Sequence, residues 1–306
     1  MTLAAKSVGA LGFALVALSA SALDAASAPG VPVIETEDVE RFYRIYDANH
    51  GKPSAEQLQR DYLDAGSDGL HTLARLRRVT GQRIADQIAA DPSLYEQARR
   101  CAAVLPTTVD RLAAVTRKLS RLYPPARFPP ISIVIGRGRP VGVGGPATGL
   151  QIGLEALCGV TYFDADPADR IVHVVAHEYA HVQQQSALVD DPKPTVLQAS
   201  LAEGAAEFLA ELTSGGVSYP RLAGSVRGRE VELGRAFLAD QDSRDLSKWL
   251  YNGSMQRAGD IGYWIGYRIV RSYYRQAKSK RAAIRRIIEM RDPKAFLAAS
   301  GWHPGA

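Results

Sequence analysis

The chain has 306 residues, of which 46% are apolar and 23% charged, and it carries 37 Lys and Arg against 32 Asp and Glu. This is a globular composition, and it excludes disordered, collagen-like and disulfide-scaffold chains. The net charge of +5 is too small to indicate a nucleic-acid partner, and we expect none.

Residues 1–22 have the pattern of a signal peptide. Lys6 supplies the positive charge, Val8–Leu18 is an apolar stretch, and Ala20–Ala22 is typical of a cleavage site. We therefore expect an exported protein, periplasmic or secreted. The apolar stretch is too short to span a bilayer comfortably, so no stable membrane insertion is expected after cleavage. An uncleaved membrane anchor is the alternative.

The two cysteines, Cys101 and Cys158, would enter an oxidising compartment together, where a disulfide can form. Pairing requires Cα atoms within about 7 Å of each other. The sequence does not supply their separation, so two buried thiols remain the alternative. Their spacing excludes a CxxC metal or redox site.

The chain divides into a flexible leader, 23–35, a helical region, 36–123, and a second region, 124–306. The leader is rich in Ala, Ser, Pro and Gly. In the helical region, apolar residues recur at helical spacing. Four segments show this pattern: 38–47, 54–65, 70–90 and 107–123.

The pattern changes at Pro124, after which two short strands are predicted. One is ISIVI at 131–135 and the other is GLQIGL at 149–154. The glycine-rich segment between them lacks the Gly-Lys-Ser/Thr of a phosphate loop, so we interpret it as a long hairpin connection. Beyond residue 166 the chain is predicted to be helical to its end. The expected fold class is α+β, mainly α, with a small sheet.

An HExxH motif, His177-Glu178-Tyr179-Ala180-His181, lies on a helix predicted over 170–186, with Asp166 and Pro167 as its start signals. Histidines four residues apart project from the same helix face, so both rings can bind one ion. Zinc suits such imidazole ligands, completed by a carboxylate. By itself HExxH is a weak pattern, and two histidines without a metal are the alternative.

The third ligand is expected on a second helix, predicted over 196–213. Its Glu203 and Glu207 lie four residues apart on one face. A short Asp- and Pro-rich turn joins the two helices, which places them as antiparallel neighbours. On geometry alone, either carboxylate could reach the ion.

The motifs HEYAH and, 21 residues later, Glu203 in LAEGAAEF resemble those of the gluzincin metallopeptidases. The resemblance implies a zincin-like core within 124–306, with Glu203 as the zinc ligand. It also implies that Glu207 holds a ligand histidine through its other ring nitrogen. More narrowly, the chain resembles an exported bacterial family of predicted zinc-dependent proteases. The segments that carry this resemblance are YLDAGSDGL, LYPPARFPPISIVIG, GLQIGLEAL, VVAHEYAHVQQ, LAEGAAEF and GDIGYWIGYRI.

The predicted reaction is hydrolysis of a peptide bond in a peptide or protein substrate. Zinc lowers the pKa of its bound water toward about 7, and Glu178 can take the proton as general base. Gluzincins often use a downstream Tyr or His to stabilise the oxyanion, and Tyr263 and Tyr267 are the candidates here, with core packing as the alternative. His173 is expected in the core or beside the ligands, because eight helical residues span about 12 Å.

GLQIGL is our candidate for an edge strand that pairs with substrate, with an internal strand as the alternative. Glu155, directly after it, is interpreted as a helix-start carboxylate rather than a contact for a substrate amine. Two non-peptidase alternatives remain open: a zinc-bearing binding or assembly protein, and a zinc hydrolase of a non-peptide amide in the cell envelope. Glu178 favours an enzyme, because metal binding alone does not need it.

The stretch from Arg268 to Lys294 contains ten Lys and Arg but two acids. Its apolar residues recur at helical spacing, which predicts two amphipathic helices with a solvated cationic face. A dedicated surface for anions is the alternative.

Overall fold

A computed structural model describes residues 33–139, 141–160, 163–253 and 259–306. The expected signal peptide, 1–22, lies outside the described residues, as does most of the expected leader. The last residues of that leader, Ile34 and Glu35, form a short strand, β1, because they pair in parallel with the strand at Ile131 and Ser132.

The N-terminal half of the described chain is helical up to the first long strand. Its helices are α1 (Glu37–Ala48), α2 (Ala55–Gln57), which continues as a π-helical turn (Leu58–Leu63), α3 (Asp68–Arg77), α4 (Gly81–Ala90), α5 (Pro92–Ala102) and α6 (Leu105–Leu122).

Side-chain caps set these boundaries. Ser67, Thr80 and Asp91 each accept a hydrogen bond from the backbone N–H three residues later. The periodic segment predicted over 70–90 is therefore two helices. The break falls at Arg78, which adopts a left-handed conformation with φ 52° just before the Thr80 cap.

The sheet contains β1 and three further strands: β2 (Ile131–Val134), β3 (Gly142–Gly145) and β4 (Gly149–Gly153). Their order is β1-β2-β4-β3, with β4 parallel to β2 and antiparallel to β3. GLQIGL is thus an internal strand, and the prediction that it is the edge strand is wrong. The edge next to β4 is instead formed by β3, which lies inside the glycine-rich segment that we interpreted as a hairpin connection. The opposite edge is β1.

The second half is again helical and contains the two helices predicted around the HExxH motif. Its helices are α7 (Leu154–Gly159), α8 (Pro167–Gln183), α9 (Ser186–Val189), α10 (Val196–Ser214), α11 (Leu222–Val226), α12 (Glu230–Asp240), α13 (Ile261–Gln276), α14 (Lys280–Ile288) and α15 (Pro293–Ala299).

Two clusters of buried apolar side chains meet at α8 and α10. One joins the N-terminal helices, the sheet and α8, and the other joins α10 with α13, α14 and α15. The second cluster contains the apolar residues of the basic stretch from Arg268 to Lys294, including the fully buried Ile269, Ile284 and Ile288. This confirms that the stretch forms amphipathic helices.

Cys101 at the end of α5 and Cys158 in α7 form a disulfide, with their Cα atoms 6.2 Å apart. The bond links a helix of the N-terminal half to the short helix that follows the sheet. The open question of pairing is therefore answered in favour of the disulfide.

The prediction of an α+β, mainly α, fold is confirmed. None of the helices in the described residues is long and apolar enough to cross a membrane.

Candidate metal centre

The HExxH residues lie in the second half of α8, whose start is fixed as the sequence predicts. The Asp166 side chain accepts a hydrogen bond from Asp169 N, and Pro167 occupies the first turn. The facing helix, α10, is capped by Thr195 and ends at Gly215 in a left-handed conformation. Both helices begin at strong signals, and these fix where the residues of the candidate site lie along them.

Three side chains converge between α8 and α10. His177 Nε2 lies 3.1 Å from His181 Nε2 and 3.3 Å from Glu203 Oε2, and His181 Nε2 lies 3.1 Å from the same carboxylate oxygen. All three residues are buried. The structure therefore brings together the three residues that the sequence predicts as metal ligands.

A hydrogen-bond relay fixes the tautomer of His181. Gln184 Nε2 donates to Ala202 O at 2.8 Å, so Gln184 Oε1 is the atom that faces His181 Nδ1, at 2.7 Å. An amide oxygen accepts, and Nδ1 must therefore carry the proton. The Nε2 lone pair is left free toward the other two ligands.

Glu207 lies beside the other ring nitrogen of His177. His177 Nδ1 lies 3.0 Å from Glu207 Oε1. Glu207 is anchored in turn by Ser218, whose backbone N donates at 2.9 Å to Oε2 and whose hydroxyl donates to Oε1. This carboxylate contacts the rear of the imidazole, so Glu203 and not Glu207 is the acid in the converging cluster.

The donor set fits zinc. Two ring nitrogens and one carboxylate oxygen face a common centre, and their lone pairs would repel one another unless a cation, either a proton or a metal ion, lay between them. Zinc bonds of about 2.0–2.1 Å in a tetrahedron separate neighbouring ligand atoms by about 3.3 Å, close to the 3.1–3.3 Å seen here. His177, His181 and Glu203 would hold the ion and leave the fourth position open.

The side chains of this centre change one another's pKa values. Burial disfavours a charged imidazole, but Glu207 and Glu203 outweigh it and raise the pKa of His177 well above its usual value. Burial would also raise the pKa of Glu203, yet His181 and His177 hold it well below the usual range. A carboxylate that stays ionised in a buried site is suited to bind a cation.

Glu178 follows His177 on α8 and is also buried. Its carboxyl group lies against β3, where an added Cβ at Gly142 would stand 2.5 Å from Oε1 and one at Gly144 would stand 2.8 Å from Oε2. Only glycine leaves this space free. Burial raises the pKa of Glu178, partly offset by the two histidines.

Tyr251, which the sequence reasoning missed, is also at the centre. Its hydroxyl donates at 2.8 Å to Glu203 Oε1, the carboxylate oxygen turned away from the histidines, while 63% of the residue is exposed. Its backbone has φ 56°, a left-handed conformation that is costly for an aromatic residue. The next residue, Asn252, is paired with Asp260, because the backbone N of each donates to a side-chain oxygen of the other.

The two tyrosines proposed from sequence differ in their placement. The Tyr263 ring stacks on His177, with centroids 6.1 Å apart, and forms part of the site wall. Tyr267 does not reach the centre, because its hydroxyl donates at 2.8 Å to Glu211, farther along α10. Tyr267 is one helical turn beyond Tyr263, and we therefore withdraw it as a candidate.

Two further candidates lie outside the ligand cluster. His173 Nδ1 is 3.4 Å from Asp164 Oδ2 and its ring lies beside Gly216, consistent with the expectation that it does not share the ion. Glu155 is fully buried in the first turn of α7 and accepts hydrogen bonds from Gly136 N and Gly138 N. It does not meet a substrate amine.

The fold brings an HExxH motif together with a glutamate from a neighbouring helix in a cluster that could hold a metal ion. Residues 155–290 match the model of a family described as Predicted Zn-dependent protease (DUF2268), a range that spans α7 through α14 and includes His177, His181 and Glu203. The expected resemblance to predicted zinc-dependent proteases is thus confirmed. No curated protein and no solved structure matches the chain.

Proposed function

We propose that this protein is a zinc-dependent peptidase. The observation that carries the proposal is the convergence of His177, His181 and Glu203 on one point, with the Glu178 carboxylate on the next residue of the same helix. Bound zinc would supply a Lewis acid that activates water and polarises the substrate carbonyl. The match to a family described as predicted zinc-dependent proteases supports the same class.

Glu178 acts as the general base in this proposal. Its carboxylate accepts a proton from water as the water oxygen attacks the amide carbon. It then returns that proton to the amide nitrogen, the C–N bond breaks, and the products are a carboxylate and an amine. Burial, which raises the pKa of Glu178, makes its carboxylate a stronger base than an exposed one.

Tyr251 is the best placed donor for the carbonyl oxygen as that oxygen gains charge. Its hydroxyl is at the ligand cluster, and most of the residue faces solvent, from which a substrate would arrive. Tyr263 lies under His177 and is expected to hold that ring in position.

Tyr251→Phe should lower kcat by about 100-fold, the usual effect of removing one donor to a developing oxyanion. Zinc affinity should fall by no more than about 10- to 100-fold, the usual effect of removing a hydrogen-bond partner of a ligand, because the three ligand atoms remain. Tyr267→Phe is the matched control, since that hydroxyl bonds to Glu211, and it should keep wild-type kcat. Equal effects of the two changes would remove Tyr251 from the reaction.

A peptide is the substrate that the surroundings of Glu178 fit best. β3 is one of the two outer strands of the sheet, and it packs against α8 beside Glu178. In the part of the chain that the structure describes, β4 is its sole strand partner. An extended peptide could pair with the open edge through main-chain hydrogen bonds and present an amide to the metal centre.

Metal analysis combined with digestion of a peptide library tests the proposed function. The purified protein should contain one zinc per chain and cleave library peptides. A chelator should abolish cleavage, and added zinc should restore it. Zinc binding without cleavage of any peptide would leave a zinc-bearing binding protein or a hydrolase of a different amide.

We also propose that the protein works outside the cytoplasm. The signal-peptide pattern of residues 1–22 supports this, and so does the Cys101–Cys158 disulfide, because such bonds persist in oxidising compartments. The mass of the exported protein should correspond to a chain that begins at Leu23 with one disulfide. A mature protein that retains residues 1–22 would contradict cleavage.

A further inference from the structure

Three arginines, Arg77, Arg137 and Arg139, belong to two segments that meet between the N-terminal helices and the start of β3. We call them the arginine cluster. Arg77 is the last residue of α3, while Arg137 and Arg139 belong to the segment that leads from β2 into β3. Arg137 Nη2 donates at 3.2 Å to Arg77 O, which ties this segment to the end of the helix.

A buried carboxylate holds the segment in place. Glu155 Oε2 accepts from Gly136 N at 2.8 Å, and Glu155 Oε1 accepts from Gly138 N at 2.9 Å. Glu155 has no exposed surface. Its hydrogen bonds thus go to the peptide groups on either side of Arg137 and order the backbone that carries the arginines.

The positive charges of the cluster have no protein counter-ion at contact distance. Among the described residues, none of the three arginines forms an ion pair. Arg77 and Arg139 are exposed, and Arg137 Nε is buried without a hydrogen-bond partner. Burial lowers the pKa of Arg137, the charges of Arg83 and Arg139 lower it further, and the carboxylate of Glu155 offsets part of this effect. An anion that bound here would relieve this repulsion.

The cluster adjoins the proposed catalytic residues. Gly142, which contacts Glu178, is three residues beyond Arg139. Arg77 is close enough to Glu178 and Tyr251 for its positive charge to act on both. The arginines are therefore at the Glu178 end of β3.

The direction in which a bound peptide runs along β3 determines which of its residues approach the arginine cluster. A substrate that pairs antiparallel with β3 runs from the Gly145 end toward the Gly142 end. Its residues on the C-terminal side of the scissile bond would then approach the arginine cluster.

We propose that the arginine cluster selects substrates that carry a carboxylate on the C-terminal side of the scissile bond. This inference rests on the proposed peptidase function. The carboxylate can be the side chain of Asp or Glu or the C-terminal group of a short product, and both suit guanidinium donors equally well. Amidation of the C-terminus distinguishes the two, because it removes the terminal carboxylate and leaves the Asp and Glu side chains unchanged.

The test uses quenched fluorescent peptides that differ at the first three positions after the scissile bond. One series carries Asp there, one Asn and one Lys, each with a free and an amidated C-terminus. Wild type should cleave the acidic series with kcat/KM at least about fivefold above the Asn series, an effect of the size expected for partly exposed charge pairs. If the C-terminal group is the one selected, amidation should remove the preference.

Arg77→Gln should bring the ratio of kcat/KM between carboxylate-bearing and neutral peptides close to one. Arg77→Glu should make the Lys series the preferred substrate. A variant that is merely misfolded would lose activity on all peptides and would not reverse the preference between acidic and basic ones. Arg75→Gln is the matched control, because Arg75 is also exposed on α3, and it should keep the wild-type ratio. A wild-type enzyme without a carboxylate preference, or a preference that survives in both Arg77 variants, would overturn the proposal.

Binding measurements separate this inference from the proposed function. Fluorescence anisotropy with the Glu178→Gln variant reports the affinity of the same peptides without turnover, and the preference should be present there too. Cleavage without any carboxylate preference would overturn the arginine-cluster proposal and leave the peptidase intact. Preferential binding with no cleavage by wild type would support the cluster and count against the peptidase.

Discussion

Glu178→Gln should reduce kcat for peptide cleavage by about a thousandfold, within the range expected when a general base is removed. The amide has the shape of the carboxylate and fits the same space beside Gly142 and Gly144, so the fold should be unchanged. It cannot accept the water proton. Because Glu178 is not a member of the ligand cluster, the variant should still bind one zinc per chain. Steady-state kinetics and metal analysis of the same preparation make the comparison.

Glu211→Gln is the matched control for this experiment. Glu211 is on α10, where it accepts the Tyr267 hydroxyl, and it is outside the ligand cluster. The change removes a carboxylate of the same kind and should leave kcat within about twofold, as expected of a surface change away from a site. Full activity in Glu178→Gln would disprove its role as base. Loss of zinc together with activity would indicate a structural role instead.

Removal of Glu203 should abolish stable zinc binding, whereas removal of Glu207 should weaken it. Glu203→Ala takes away one of three ligand atoms, and we expect zinc affinity to fall by more than about a thousandfold. Glu207→Ala leaves all three and loses the contact with His177 Nδ1, a change that usually costs about 10- to 100-fold in affinity. Titration against a competing chelator measures both values.

Glu211→Ala serves as the control on the same helix and should retain wild-type affinity. The sequence alone left the roles of Glu203 and Glu207 exchangeable. The structure places Glu203 Oε2 against both Nε2 atoms and Glu207 behind His177. If Glu207→Ala proves the more damaging of the two, the exchanged assignment is correct and the ligand set must be revised.

The parts of the fold that could be predicted from sequence are those set by local signals. Asp166 and Pro167 mark the start of α8, and the spacing of His177 and His181 fixes their common face, so both could be predicted from neighbouring residues. The pairing of α8 with α10 followed from the short turn between them. The break at Arg78 was missed, because apolar spacing continues on both sides of it.

The outer strand escaped prediction for a physical reason. Gly142–Gly145 has almost no strand-forming side chains, and glycine usually indicates a loop. The strand forms because a glycine face is what allows it to lie against Glu178, a requirement that becomes visible only when the helix is in place. The glycines that made the strand hard to predict are therefore the residues that leave room for the Glu178 side chain.

The supporting residues of the metal centre were also missed, each for a different reason. Tyr251 reaches Glu203 across 48 positions from a loop without periodicity, so no pattern indicates it. Gln184 could have been found, since it lies one turn beyond His181 and therefore near the same face of the helix.

The Gln184 relay has a consequence for how the metal centre assembles. The same amide that orients His181 is attached to Ala202 on α10, the residue directly before Glu203. If the two helices separate, the imidazole loses its alignment in the same movement that carries the carboxylate away. A partly formed centre with two good ligands is thereby disfavoured, and zinc should enter or leave as an all-or-none event.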